Sequence, residues 1–186
     1  MASNRFKRNR KTNLFNHKIK ELTPAQSFKQ VKELLKERKR MTGHDLVPGN
    51  LIFTFYDAKD KSRTYDRTPL ILILRINNRH LLGLNFHWVP LSMRINLIKM
   101  IISMNENNIK KNKPLQFNYE DLRPRLKSFG YAPVIRRYIN SRISKTGVVI
   151  PPERLMEVAR LKTETFTHGR YSASQLLAMA RKRGNK

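Results

Sequence analysis

The feature that most constrains this chain is its charge: 39 Lys and Arg stand against 13 Asp and Glu, a formal net charge of +26 over 186 residues. Self-repulsion of that size opposes compaction, and a polyanion that supplies the counter-charge relieves it. Such a chain can fold around an apolar core only if the excess is kept to its margins, and the distribution does this. Residues 1–20 hold seven bases and no acid, residues 41–110 nine bases and five acids, and residues 111–186 seventeen bases and five acids. With 39% of positions hydrophobic, the near-balanced middle reads as a folded core and nucleic acid as the partner.

Several function classes fall away. The absence of Cys removes disulfide frameworks and zinc knuckles and agrees with a reducing compartment. The longest apolar runs, 69–74 and the interrupted 95–104, fall short of the ~20 residues of a membrane span, and no apolar stretch follows the basic N-terminus as a secretory signal requires. No membrane partner is expected. The five His residues, at 17, 44, 80, 87 and 168, have no ligand spacing, so no metal is expected and His87 reads as a core or interface residue. Neither GxxxxGK[ST] nor GxGxxG occurs, and no serine sits in a nucleophile elbow. Neither a cofactor nor a small-molecule substrate is expected. A metal-dependent nuclease is the sharpest enzymatic alternative, because Asp45 and then Asp57-Ala58-Lys59 spell its acid and acid-x-Lys pattern. That stretch also holds Asp60, Lys61 and Arg63 and reads as a solvated turn, and thirteen scattered acids do not converge on two metal ions. The chain reads as a binder and not as an enzyme.

The element pattern is α+β: a small antiparallel sheet or partly open barrel packed by helices, with a basic N-terminal arm. Residues 1–22 lack a hydrophobic period and read as a flexible arm. Thr23, Pro24 and Gln26 form a capping box before Phe28, Val31, Leu34 and Leu35, which predicts an amphipathic helix over 24–40. The core domain spans 46–170. Strands are predicted near 51–56, 69–76 and 80–86, the last two joined as a hairpin through Asn77-Asn78. A helix over 91–104 presents Ile95, Ile98 and Ile102 beside Leu97, Ile101 and Met104. Asn118 caps a short helix carrying Leu122, Leu126 and Phe129, stopped by Gly130. Further helices are predicted over 133–141 and from Pro151-Pro152 to about 165, with a short strand at 148–150 between them. Ser172 to Gln175 repeats the capping-box pattern ahead of a basic terminal helix within 171–186.

The candidate phosphate contacts are the arm residues Arg5, Lys7, Arg8, Arg10, Lys11, Lys18 and Lys20, then Arg136, Arg137 and Arg142, and the terminal Arg181, Lys182 and Arg183. Aromatics stand beside charge at Tyr65, Trp88, Tyr138 and Tyr171, an arrangement that suits base stacking on single strands or exposed ends. The competing reading is that Phe53, Phe55, Phe86 and Trp88 simply fill the sheet core.

One block is more specific. After Pro48-Gly49, the segment Tyr56-Asp57-Ala58-Lys59 leads through Tyr65-Asp66 and Pro69 to a hydrophobic strand. Gly83-Leu84-Asn85-Phe86-His87-Trp88-Val89-Pro90 follows, and then a helix with an early Arg94. This order resembles a block in the DNA end protector protein family of T-even-like tailed bacteriophages. It covers about fifty residues, with weaker similarity over 138–170; the basic arm and Arg67-Thr68, where an aromatic commonly precedes the Pro, depart from it. The resemblance implies a virion protein that binds the ends of the packaged linear genome and shields them from host exonuclease. Its partners would be DNA ends and other virion subunits, and its setting the virion and then the host cytoplasm. The alternative reading is a structural protein of the phage neck, tail or baseplate whose basic surface faces DNA or acidic subunits. A ribosomal protein matches the composition alone.

Overall fold

A computed structural model describes residues 29, 33, 41–62, 64–111, 113–131, 134–167 and 171–184. The arm expected over 1–22 and, apart from positions 29 and 33, the helix expected over 24–40 lie outside the described residues.

Five antiparallel strands form one open sheet in the order β4-β3-β2-β1-β5: β1 Leu51–Phe53, β2 Leu70–Ile76, β3 His80–Asn85, β4 Ile135–Ile139 and β5 Val148–Ile150. The open sheet, not a barrel, is the form adopted. The β2–β3 hairpin is held at its tip by the Asn77 side chain, whose Oδ1 accepts from the Arg79 and His80 amides at 3.0 and 2.7 Å. A register shift between Ile73 and Arg75 bends β2 against β3. Side-chain alternation divides β2 between two clusters, Leu70, Leu72 and Leu74 in one and Ile71 and Ile73 in the other. Both faces are covered, which is why this strand is a continuous apolar run. Gly83 on β3 is required by close approach, since a Cβ there would lie 2.2 Å from Ile71 Cγ2.

The larger cluster packs Leu51, Phe53, Leu84 and Phe86 against four helices. From α1 (Leu91–Met104) it takes Leu97, Ile98 and Ile101, while Ile95 and Ile102 are only half-buried. The short α2 (Glu106–Lys110) follows α1. Leu122 and Leu126 come from α3 (Tyr119–Ser128), whose N-terminus the Asn118 side chain caps by accepting from the Glu120 amide at 3.1 Å. Gly130, at φ 69°, stands just past its end. α4 (Leu155–Val158) contributes Leu155 and Val158, and α5 (Ala173–Gly184) contributes Leu176 and Leu177. The predicted Ser172–Gln175 box closes α5, with reciprocal bonds of 2.8 and 3.3 Å. Among the described residues, no helix is long and apolar enough to cross a membrane.

Four expectations are corrected. The helix expected over 133–141 is replaced, among its described residues, by β4 at Ile135–Ile139 and a 3-10 turn at Asn140–Arg142, because β3 presents an unpaired edge to which Ile135, Tyr138 and Ile139 add as a strand. The helix expected from 151 to 165 is reduced to a 3-10 turn at Pro152–Arg154 and α4. Beyond it the chain is drawn into extended contact with 65–68: Arg67 N donates to Thr165 O at 2.9 Å and Thr167 N to Tyr65 O at 2.9 Å. Phe129 is 61% exposed and Phe55 53% exposed, so neither fills the core. The strands near 51–56 and 80–86 stop at Phe53 and Asn85, the second running into a 3-10 turn at Phe86–Trp88.

Candidate nucleic-acid interface

The turn after β3 is anchored from below by a polar network closed to solvent. Asn85 Oδ1 accepts the His87 amide at 2.9 Å, which tightens the turn and swings the His87 ring toward Asp66. His87 Nδ1 lies 2.6 Å from Asp66 Oδ2, and His87 Nε2 lies 3.1 Å from Thr163 Oγ1. Asn85 Nδ2 donates to the same Asp66 oxygen at 3.3 Å, while the Thr68 and Thr165 amides donate to Asp66 Oδ1 at 3.1 and 3.2 Å. Burial pushes the Asp66 carboxyl up, but electrostatic and hydrogen-bonding contact with the His87 ring, together with the two amides, outweighs it and holds the group below its ordinary value. At 0% exposure His87 has no access to a substrate, so the constellation is a fastener between the 65–68 segment, the turn and the 163–165 segment.

Arg94 performs a similar task one helical turn into α1. It is 2% exposed; Nε and Nη2 donate to Val89 O at 3.3 and 3.2 Å, and Nη1 donates to Ala159 O and Leu161 O at 3.0 and 3.2 Å. Burial lowers its pKa, opposed by Glu164, whose carboxylate is 3.8 Å away, and by Asp66. The guanidinium fork thus ties the end of α4 to the start of α1.

Above this base lies a cavity of about 380 Å³, bounded by the 56–66 segment and by β4. Its aromatic lining is Tyr56, Tyr65, Trp88 and Tyr138, with the Tyr56 ring edge-on to Tyr65 at 6.1 Å and to Tyr138 at 4.9 Å. Burial pushes the phenols of Tyr56 and Tyr138 up, so both stay neutral. Arg136 places its guanidinium carbon 3.5 Å from the centroid of the Trp88 ring, a close cation–π stack, and Phe166 abuts Trp88 edge-on at 5.4 Å. Lys59 and Arg137 complete the basic wall. A second cavity of about 500 Å³ shares Tyr56 and is lined by exposed Phe55, Arg67 and Arg142.

Of the residues picked out in the sequence, Arg136 and Arg137 therefore meet in the first cavity and Arg142 lies in its neighbour, 3.4 Å from Asp57. Arg181 stands apart from these cavities, donating from Nε to Gly130 O at 3.0 Å, and Lys182 is exposed on α5. Arg183 lies in α5 with its side chain outside the described set, as are Arg5, Lys7, Arg8, Arg10, Lys11, Lys18 and Lys20. Lys59 and Arg67, which the sequence did not single out as phosphate contacts, also line these cavities. Lys59 sits in a stretch whose composition reads as a solvated turn, and Arg67 gives its only signal as the neighbour of Tyr65. The acids of the nuclease pattern are engaged separately, Asp57 by Lys61 and Arg142 and Asp45 by the Thr42 amide at 2.6 Å. Among the described residues, no group of three or more His, Asp or Glu is placed to hold a metal ion.

The residues that carried the family resemblance converge here: Tyr56, Tyr65 and Trp88 line the cavity, Asp66, Asn85 and His87 fasten it from below, and Arg94 braces the helix behind. No curated protein and no solved structure matches the chain. The family model described as phage T4 terminal DNA protecting protein matches residues 3–180. By that match, which spans nearly the whole sequence, the chain belongs to this family of non-enzymatic phage proteins that shield the ends of the genome.

Proposed function

We propose that shielding is achieved by a phosphate clamp centred on the sheet edge formed by β4. Arg136, Arg137 and Arg142 hold the terminal stretch of duplex. Arg5, Lys7, Arg8, Arg10, Lys11, Lys18 and Lys20 of the arm run back along the backbone, and Arg181, Lys182 and Arg183 add a third contact. The observation that carries this reading is the gathering of Arg136, Arg137, Lys59, Arg67 and Arg142 around two adjoining cavities that share Tyr56. Contacts of this kind fix position on DNA without reading sequence. Individually weak contacts that must break together also keep the protein from sliding off a terminus, which an exonuclease block requires. The protein travels with the packaged genome in the virion, beside other virion subunits, and acts in the host cytoplasm once the DNA has entered.

The test is competition and digestion. Linear duplex is expected to outcompete circular DNA of equal length, and bound linear ends are expected to resist a processive exonuclease. Log affinity should fall with log salt by ~0.9 per phosphate neutralised, so six to ten contacts give a slope of roughly −5 to −9. Equal competition by circles, with digestion of bound ends at the normal rate, would remove end binding from this surface.

A further inference from the structure

We infer that the cavity beside the Arg136–Trp88 stack receives the terminal base of a linear duplex, lifted from its neighbour. The inference rests on the end-shielding reading and names the chemical group by which an end is told from an internal site. Phosphate contacts alone cannot make that distinction, because every position along a duplex offers the same backbone. A terminal base can. It is stacked on one side only and leaves the helix without the backbone rotation that extrusion of an internal base demands.

The cavity suits such a group in three respects. Its volume of about 380 Å³ falls within the range of sites for small ligands, roughly 300–1,000 Å³. Aromatic side chains line it, and Arg136 is already stacked on the Trp88 ring, so an entering base meets a planar cation fixed in advance. Asp60, Thr64 and His80 at the lining supply donors and acceptors for a base edge, while Lys59 and Arg137 stand where the following phosphate would need a counter-charge. The buried Asp66–His87 fastening beneath holds the turn that carries Trp88, so the site is formed before DNA arrives.

Trp88 is the chain's single Trp, which makes its fluorescence a direct report on the cavity. With the full-length protein, three DNA probes are compared: a blunt linear duplex, a covalently closed relaxed circle of equal length, and the linear duplex with an abasic nucleotide at each strand terminus. The blunt duplex is expected to change Trp88 emission and the circle to bind without that change. The abasic ends are expected to bind roughly 5- to 150-fold more weakly than ordinary ends, the loss of one stacked base. Tyr65→Ala should erase the difference between ordinary and abasic ends; because the abasic probe makes the same test on unaltered protein, a misfolded variant does not decide it. Identical emission changes with circle and linear duplex, or abasic ends bound as tightly as ordinary ones, would overturn base capture. If linear DNA then still outcompetes the circle, end shielding survives by another contact. If it does not, both readings fall.

Discussion

Asp66 is the residue whose removal should be felt most widely, because one buried carboxylate, 2% exposed, accepts from four donors on three separated segments. Asp66→Ala deprives His87 Nδ1 of its partner and leaves Asn85 Nδ2 and the Thr68 and Thr165 amides without this acceptor. Each such orphan costs about 1–3 kcal/mol, and breaking a buried pair from one side costs about 3–5 kcal/mol in all. Against a total stability of about 5–15 kcal/mol, that is roughly a fifth or more of what holds the fold. Asp66→Asn should cost less, about 1–2 kcal/mol. It keeps an oxygen for the amides, and its N–H can face His87 Nδ1 once the ring proton moves to Nε2, where Thr163 Oγ1 accepts it at 3.1 Å.

The pH dependence separates the two contributions. The folded carboxyl titrates below its ordinary 3.8. The stability it contributes is therefore fully present above the unfolded value of about 4 and is lost as pH falls through the lower folded value. Urea denaturation followed through Trp88 at neutral pH should rank wild type above Asp66→Asn above Asp66→Ala. The gap between wild type and Asp66→Asn should narrow as the pH is taken below about 4. An Asp66→Ala protein within ~1 kcal/mol of wild type, or a gap independent of pH, would refute the view that this network fastens the turn.

Further outcomes follow from the same geometry. Gly83→Ala should destabilise by about 1–3 kcal/mol in thermal or urea melts, since its new Cβ meets Ile71 Cγ2 at 2.2 Å, and combining it with Ile71→Ala should cost less than the sum of the two single losses. Arg94→Met should cost about 3–5 kcal/mol while leaving DNA binding untouched, because it orphans the carbonyls of Val89, Ala159 and Leu161; Arg94→Lys should rescue little, lacking the planar fork. Replacing Arg5, Lys7, Arg8, Arg10 and Lys11 by Gln should leave the melting temperature nearly unchanged and flatten the salt slope by ~0.9 for each phosphate no longer neutralised. Ser172→Ala should lower stability by about 1 kcal/mol through loss of the α5 cap, checked by the urea midpoint.

Local chemistry and overall charge were legible in the residues alone. The apolar run at 70–76, the Asn77 turn, the period of α1 and the Asn118 and Ser172 caps act within a few residues of themselves, so they form as their letters predict. The surplus of bases pointed to a polyanionic partner in the same way, because net charge does not depend on the fold. Arg94 and His87 could be named within a motif, yet their tasks could not be read, since each also reaches a partner 65 or 76 residues away, Ala159 for Arg94 and Thr163 for His87.

The fate of 135–139 was settled by packing across the sheet. Its apolar positions satisfy a helical period, but the open edge of β3 offers hydrogen bonds and a packed face that a lone helix would lack. That exchange of helix for strand sets Arg136 on the same side of β4 as Tyr138 and stacks it on Trp88, 48 residues earlier in the chain. The basic–aromatic cavity exists because of it: a side chain's period chooses its face, and the partner across the sheet decides what that face becomes.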